Sequence, residues 1–170
     1  IGIPLTLEML NADMYKLDFQ GVQLLFIGPG GSNKGPEYAQ YLQSVFDEND
    51  NLWKVCNWHF NQNKLQLGEK ADQTGWEIYD ACLNAGAIIA TAHEHSYHRT
   101  KTLTDFHSSE FPQVNQSSQD PNDLYVYPGS TFVFVSGLGG RSVRNQDRCL
   151  PKDYPYGCNH EWAKIYTSNQ

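Results

Sequence analysis

The sequence predicts an α/β fold. Two observations carry that expectation. Short apolar runs alternate with amphipathic helical patterns through the middle of the chain, and the region after Tyr97 turns rich in strand-forming residues. The 170 residues are enough for one domain with a real core.

Met14 to Phe19 and Val22 to Ile27 read as two strands around Gln20-Gly21, a hairpin. Gly28-Pro29-Gly30-Gly31 ends it; this glycine run lacks the Lys-Ser/Thr ending of a phosphate loop. Pro36 opens a helix on which Tyr38, Tyr41, Leu42, Val45 and Phe46 share one face. Leu52 to Trp58 is nearly continuous in apolar residues, which predicts a strand buried on both faces. Thr74 and Glu77 have the spacing of a capping box for a second helix. Trp76, Tyr79, Cys82 and Leu83 would line its inner face, with Gly86 as its C-terminal cap. Ala87 to Ala90 is a further short strand. Ser108 to Asp123 is a long polar loop, and Thr131 to Ser136 a strand closed by Gly137-Leu138-Gly139-Gly140. Residues 1–170 form a single domain, in which 141–170 is a disulfide-linked, loop-rich tail.

Charged residues make up 18% of the chain, below the roughly 25% of soluble domains. Asn, Gln, Ser, Thr and Tyr take their place, as on secreted surfaces. The net charge of −7 comes with no Lys/Arg cluster, which excludes a basic nucleic-acid-binding face. No run reaches the ~18 apolar residues of a membrane-spanning helix. Ile1 follows no Met, and the polar Tyr166-Thr167-Ser168-Asn169-Gln170 follows directly on apolar residues, so a processed or excised piece is expected.

Cys56, Cys82, Cys149 and Cys158 allow three pairings. Cys149 and Cys158 flank a Pro/Tyr/Gly turn suited to a short disulfide loop. Cys56, on a strand, and Cys82, on the next helix, can pair across that contact. Four buried thiols are the alternative. Asn115-Gln116-Ser117 is an N-glycosylation sequon. Sequon and cysteines together agree with an oxidising compartment, secreted or at the cell surface.

His59 follows the strand Leu52–Trp58, and His93 and His95 follow Ala87–Ala90. Ligands of α/β sheets collect at the carboxyl ends of strands, so two strands joined by one helix would bring three imidazoles together. Imidazole is the commonest neutral metal ligand, and the i, i+2 spacing lets His93 and His95 point the same way in extended chain. The alternative is that His93 and His95 are ordinary polar loop residues.

The run Trp53-Lys54-Val55-Cys56-Asn57-Trp58-His59 and the later run from Gly86 through Ala92-His93-Glu94-His95-Ser96-Tyr97-His98-Arg99-Thr100 resemble the calcineurin-like metallophosphoesterases, purple acid phosphatases among them. There a strand ends in a ligand His, and a later one in Gly-His-x-His, often continued as Ser-Tyr-x-Arg-Thr. The hairpin, the helix with Gln40 and Leu42, and Phe132 to Gly140 are also similar, so the resemblance covers about residues 14 to 140. It implies the second half of a four-layer metallophosphoesterase β-sandwich with a β/loop-rich C-terminal part. It also implies His59 and His93 on one metal and His95 on the other, the metals being Zn, Fe or Mn and the substrate a phosphate ester.

Three positions depart from the pattern: Ala92 replaces Gly, His98 stands where Glu is common, and Phe60-Asn61-Gln62 replaces a His-Pro continuation. A larger departure is that the family's carboxylate motifs, Asp-x-His, Gly-Asp-x-x-Asp and Gly-Asn-His-Asp/Glu, do not fit before Met14, and no Gly-Asp pair occurs. Asp105-Phe106-His107 and Asn159-His160-Glu161 imitate two of them from loops. Glu94 is the acid adjacent to the histidines, and strand alternation points it away. One metal held weakly is therefore expected, together with an exposed apolar sheet face awaiting the missing N-terminal half of the domain or another copy of the chain. The functional expectation is a segment of a phosphatase or phosphodiesterase; the alternative is a non-catalytic extracellular structural, assembly or binding module with a vestigial site.

Overall fold

A computed structural model describes residues 12–29, 35–48, 52–117, 120–139, 141–145 and 155–169. Seven strands form one mixed sheet. They are β1 (Met14–Phe19), β2 (Val22–Ile27), β3 (Trp53–Asn57), β4 (Ile88–Thr91), β5 (Tyr97–Thr100), β8 (Val133–Ser136) and β9 (Trp162–Tyr166), in the order β1-β2-β3-β4-β8-β5-β9. The hairpin β1–β2 has the expected register, Phe19 facing Val22 and Met14 facing Ile27. Gln20 (φ 49) and Gly21 (φ 82) both take the left-handed conformation a two-residue hairpin turn requires. Strands β2, β3, β4 and β8 run parallel, which puts their carboxyl ends on one edge. β5 and β9 close the sheet antiparallel, so the C-terminal segment supplies an edge strand as well as loops. Two short strands, β6 (Leu103–Asp105) and β7 (Gln113–Val114), pair separately, and β7 lies within the stretch read as a polar loop.

Helices α1 (Gly35–Asp47) and α2 (Trp76–Asn84) cover one sheet face. The row Leu25, Cys56, Ile89 and Val133, aligned by the strand registers, is fully buried there against Leu42, Ile78, Tyr79 and Cys82. Burying a side chain of this size contributes roughly 1.5–3 kcal/mol. On α1 the expected face is the buried one, through Tyr38, Leu42 and Val45. On α2 the buried set is Ile78, Tyr79, Cys82 and Leu83, with Ile78 in the place expected for Trp76.

The capping box does not form. Gly75 is the N-cap and donates no side chain, while the Thr74 hydroxyl donates to Gln62 Oε1 at 3.1 Å. Gln62 Oε1 also accepts the Gln73 and Thr74 N–H groups, which ties Thr74 down one residue ahead of the N-cap, outside capping position. Gly86 ends α2 as expected, with φ +63 and the Tyr127–Pro128 backbone against its Cα.

The strand expected to be buried on both faces is not. Leu52 lies before β3 and is 82% exposed, and Trp53 is 49% exposed. The helices cover the Cys56 side, while Val55, with its neighbours Leu24 and Ile88, stays half-exposed on the other. Phe26 and Phe134 lie on that same side, also half-buried. The apolar run therefore reflects a sheet that is apolar on both sides and covered on one, as expected of half a sandwich.

Cys56 and Cys82 are joined by a disulfide, across the strand–helix contact. Cys158 is disulfide-bonded as well. Cys149, Gly30, Gly31 and Gly140 lie outside the described residues.

Candidate functional site

The carboxyl edge of the parallel strands holds all three histidines. β3 ends at Asn57 and the chain bends at His59; β4 ends at Thr91 and reaches His93 two residues on. The two exits are tied in both directions. Ala92 N–H donates to the His59 carbonyl at 3.2 Å, and Asn61 Nδ2 donates to the Ala92 carbonyl at 2.6 Å. Asn61 is fully buried. These bonds leave little freedom in how His59 sits relative to His93.

The result is a contact between the rings, with His59 Nε2 and His93 Nδ1 3.2 Å apart. Two nitrogens bound to one ion at ~2.0–2.1 Å with a tetrahedral angle are separated by about 3.3 Å. The pair thus has the edge length of two ligands of one cation. His93 takes φ 63, a left-handed conformation costing a non-glycine residue roughly 1–2 kcal/mol. The extended i, i+2 geometry expected for His93 and His95 is accordingly replaced by a tight bend. Glu94 N–H donates to the Ala92 carbonyl at 2.7 Å, and Ser96 N–H to the Glu94 carbonyl at 2.8 Å.

The bend is held from two remote segments. Lys70 Nζ donates to the His93 carbonyl at 2.9 Å, and the Arg144 backbone N–H to the His95 carbonyl at 2.8 Å. Between them lies Glu94, buried, with Lys70 Nζ 3.3 Å from one carboxylate oxygen and Arg144 3.7 Å from the other. The Lys70 contact is an ion pair without hydrogen-bond alignment. Gly68 and Gly137 pack so closely on Glu94 that a Cβ on either would collide with it.

Burial first, then the Lys70 charge and then His59, push His93 down to about 4. The ring is neutral at pH 7, the form that binds metal. His98, where the family pattern often has Glu, is fully buried edge-on to Trp162, and burial lowers it to about 3.

His59 separates two cavities. One, of about 510 Å³, runs along the open sheet face past Asp13, Tyr15, Phe26, Asn57 and Ala90. The other, of about 460 Å³, contains His59, His93, His95, Lys70, Arg141 and Arg144. All three predicted histidines therefore share one cavity. Among the described residues, no three His, Cys, Asp or Glu side chains converge closely enough to hold a metal. The donors fit one shared edge of a cation; they do not by themselves complete a dinuclear centre.

The look-alike motifs have other roles. Asp105 accepts the His107 and Ser108 N–H groups, and His107 pairs with Asp80 at 2.9 Å. Glu161 is buried and accepts the Asn159 N–H at 2.8 Å. Asn115 of the sequon is 8% exposed, and its Oδ1 accepts the Ser117 N–H. The sequence pattern did not mark Lys70, Arg141 or Arg144, and it marked Asn61 only as a departure from the family pattern. Neither Lys70 nor the two arginines stand in a motif, although Arg141 follows the glycine turn.

The fold resembles part of the fold of two larger proteins of known structure. The chain is similar to purple acid phosphatase PPD1 from yellow lupin (Lupinus luteus) seeds, with TM-score 0.63 and 11% identity, over 98% of this chain and 28% of that one. It is also similar to PhoD, with TM-score 0.51 and 10% identity, over 91% of this chain and 34% of that one. It spans about a third or less of either protein's length. No family model and no curated protein sequence matches it.

Proposed function

We propose that the chain is the histidine-bearing segment of a metal-dependent phosphoester hydrolase. In this reading His59 and His93 hold one cation and His95 turns toward a second. The observation that carries it is the 3.2 Å contact between His59 and His93 at the ends of adjacent parallel strands. Zn, Fe or Mn bound there would supply Lewis acidity toward a phosphoryl oxygen. The chain's own residues hold the site ready: Asn61 fixes the two strand exits, and Lys70 and Arg144 clamp the bend between the histidines. The bridging carboxylates would come from outside these residues. The half-exposed sheet face with Leu24, Val55 and Ile88 is where the missing N-terminal half of the domain, or another copy, would pack. The buried disulfide supports a secreted or cell-surface location.

A second reading is favoured by the absence, among the described residues, of a converging carboxylate. Here the segment is an extracellular assembly or binding module with a vestigial site. Zinc titration of the purified chain separates the two. The hydrolase reading expects one zinc per chain, lost in His59→Ala and in His93→Ala. A chain that takes up no zinc, or binds it equally well in both variants, refutes the metal role. Two tightly held metals per chain would instead show that no carboxylates are missing.

A further inference from the structure

The chain carries a net charge of −7, yet the histidine cavity is cationic. Lys70, Arg141 and Arg144 line it, and the carboxylate set against them is Glu94. Three cations against one carboxylate leave two positive charges unmatched. Glu94 is only 4% exposed in its side chain, so a ligand entering the cavity meets the guanidinium groups and little of the acid. The groups are also placed differently from one another. Lys70 is held by the His93 carbonyl and Glu94. Arg144 is half-exposed at 47% and only loosely paired at 3.7 Å. Arg141 is exposed and has no side-chain partner among the described residues.

An arginine kept at a cavity wall without a carboxylate partner is suited to a phosphate, which its planar fork can grip through two parallel hydrogen bonds. A cavity of about 460 Å³ is in the usual range for a small ligand. It leaves room beyond a single phosphoryl group at the histidines. Cationic walls with low-dielectric backing also concentrate multivalent anions more than monovalent ones.

We propose that Arg141 and Arg144, with Lys70 behind them, form an anion-binding wall facing His59, His93 and His95, and that the ester taken here carries a second phosphate-like group. This rests on the reading that cations held by the histidines would take the reacting phosphoryl group. It narrows the substrate class to small phosphoesters with two or more anionic phosphates, and it gives Arg141 and Arg144 the task of positioning the distal one.

The test uses the metal-free full chain at low ionic strength, titrated calorimetrically with inorganic phosphate and with pyrophosphate. Pyrophosphate should bind about tenfold more tightly, the order expected of one added charge-assisted contact. Arg141→Gln should remove that preference by weakening pyrophosphate about tenfold, and Arg141→Lys should restore part of it, because the charge returns without the fork. Equal affinity for the two anions overturns the proposal. So does a preference that survives in Arg141→Gln. No metal is present, so a failed zinc titration and a failed anion preference are read in separate experiments.

Discussion

Replacing both Cys56 and Cys82 by Ala should lower the stability of this chain by about 3.5 kcal/mol. The value follows from the 26-residue separation the bridge closes, through the loop-closure entropy it removes from the unfolded chain at 25 °C. Both residues are fully buried between β3 and α2, so losing two sulfurs also loosens packing, which adds to the loss in the same direction. At about 2–4 °C per kcal/mol for a chain of this size, the melting temperature should drop by about 7–14 °C. Calorimetry of the wild type and the double variant under non-reducing conditions measures it, with the Cys158 bridge intact in both. A drop under about 3 °C would mean instead that the unfolded chain is already held compact without this crosslink, and that loop closure is not what the bridge contributes.

Acid should destabilise the chain partly through His98. Its folded pKa, about 3, lies below the unfolded value near 6.5, so between those pH values the unfolded state binds the extra proton and stability falls as pH falls. His93, at about 4, acts in the same direction. Urea unfolding of His98→Leu should lose about 1 kcal/mol less than wild type on going from pH 6 to pH 5; parallel pH profiles would remove His98 from the explanation. Gly137→Ala should cost about 2 kcal/mol and weaken zinc binding without touching a ligand, since its Cβ would lie 2.9 Å from the Glu94 carbonyl carbon and force the bend to move. Unchanged zinc affinity in that variant would mean the bend is not what sets the histidines. His93→Gly should be about 1 kcal/mol more stable than His93→Ala in chemical denaturation, because glycine accepts φ 63 without the penalty. Equal stability would show that the left-handed backbone there carries no strain.

Such strain at His93 sits beside a buried carboxylate and two remote cationic side chains, an arrangement a plain loop has no need of. A bare turn after β4 could use glycine at the left-handed position and solvent-facing polar groups elsewhere. Here the turn keeps an imidazole at the strained position and is clamped from residue 70 on one side and residue 144 on the other. The clamp is independent of the family likeness, and it makes the position of His93 a property of the tertiary structure.

Local pattern determined a good deal by itself. The hairpin Met14–Ile27, the amphipathic face of α1, Gly86 at the end of α2, and the arrival of three histidines at strand ends are all set by side-chain periodicity and by turn residues a few positions apart. The strand–helix contact that brings Cys56 to Cys82 was legible for the same reason. What local pattern could not decide was which groups from distant segments meet. Whether β3 is covered on one face or two depends on what packs there, and an apolar run reads the same in either case. The capping box failed because the helix starts after Gly75, while Thr74, one residue too early, is tied to Gln62 twelve residues before it. Lys70, Arg141 and Arg144 join the histidine cavity because the loops after β3 and β8 converge on it. Spacing along a chain fixes the direction of side chains relative to their own strand or helix. The charge and shape of a cavity depend on neighbours far away in sequence, and those are brought together only by packing.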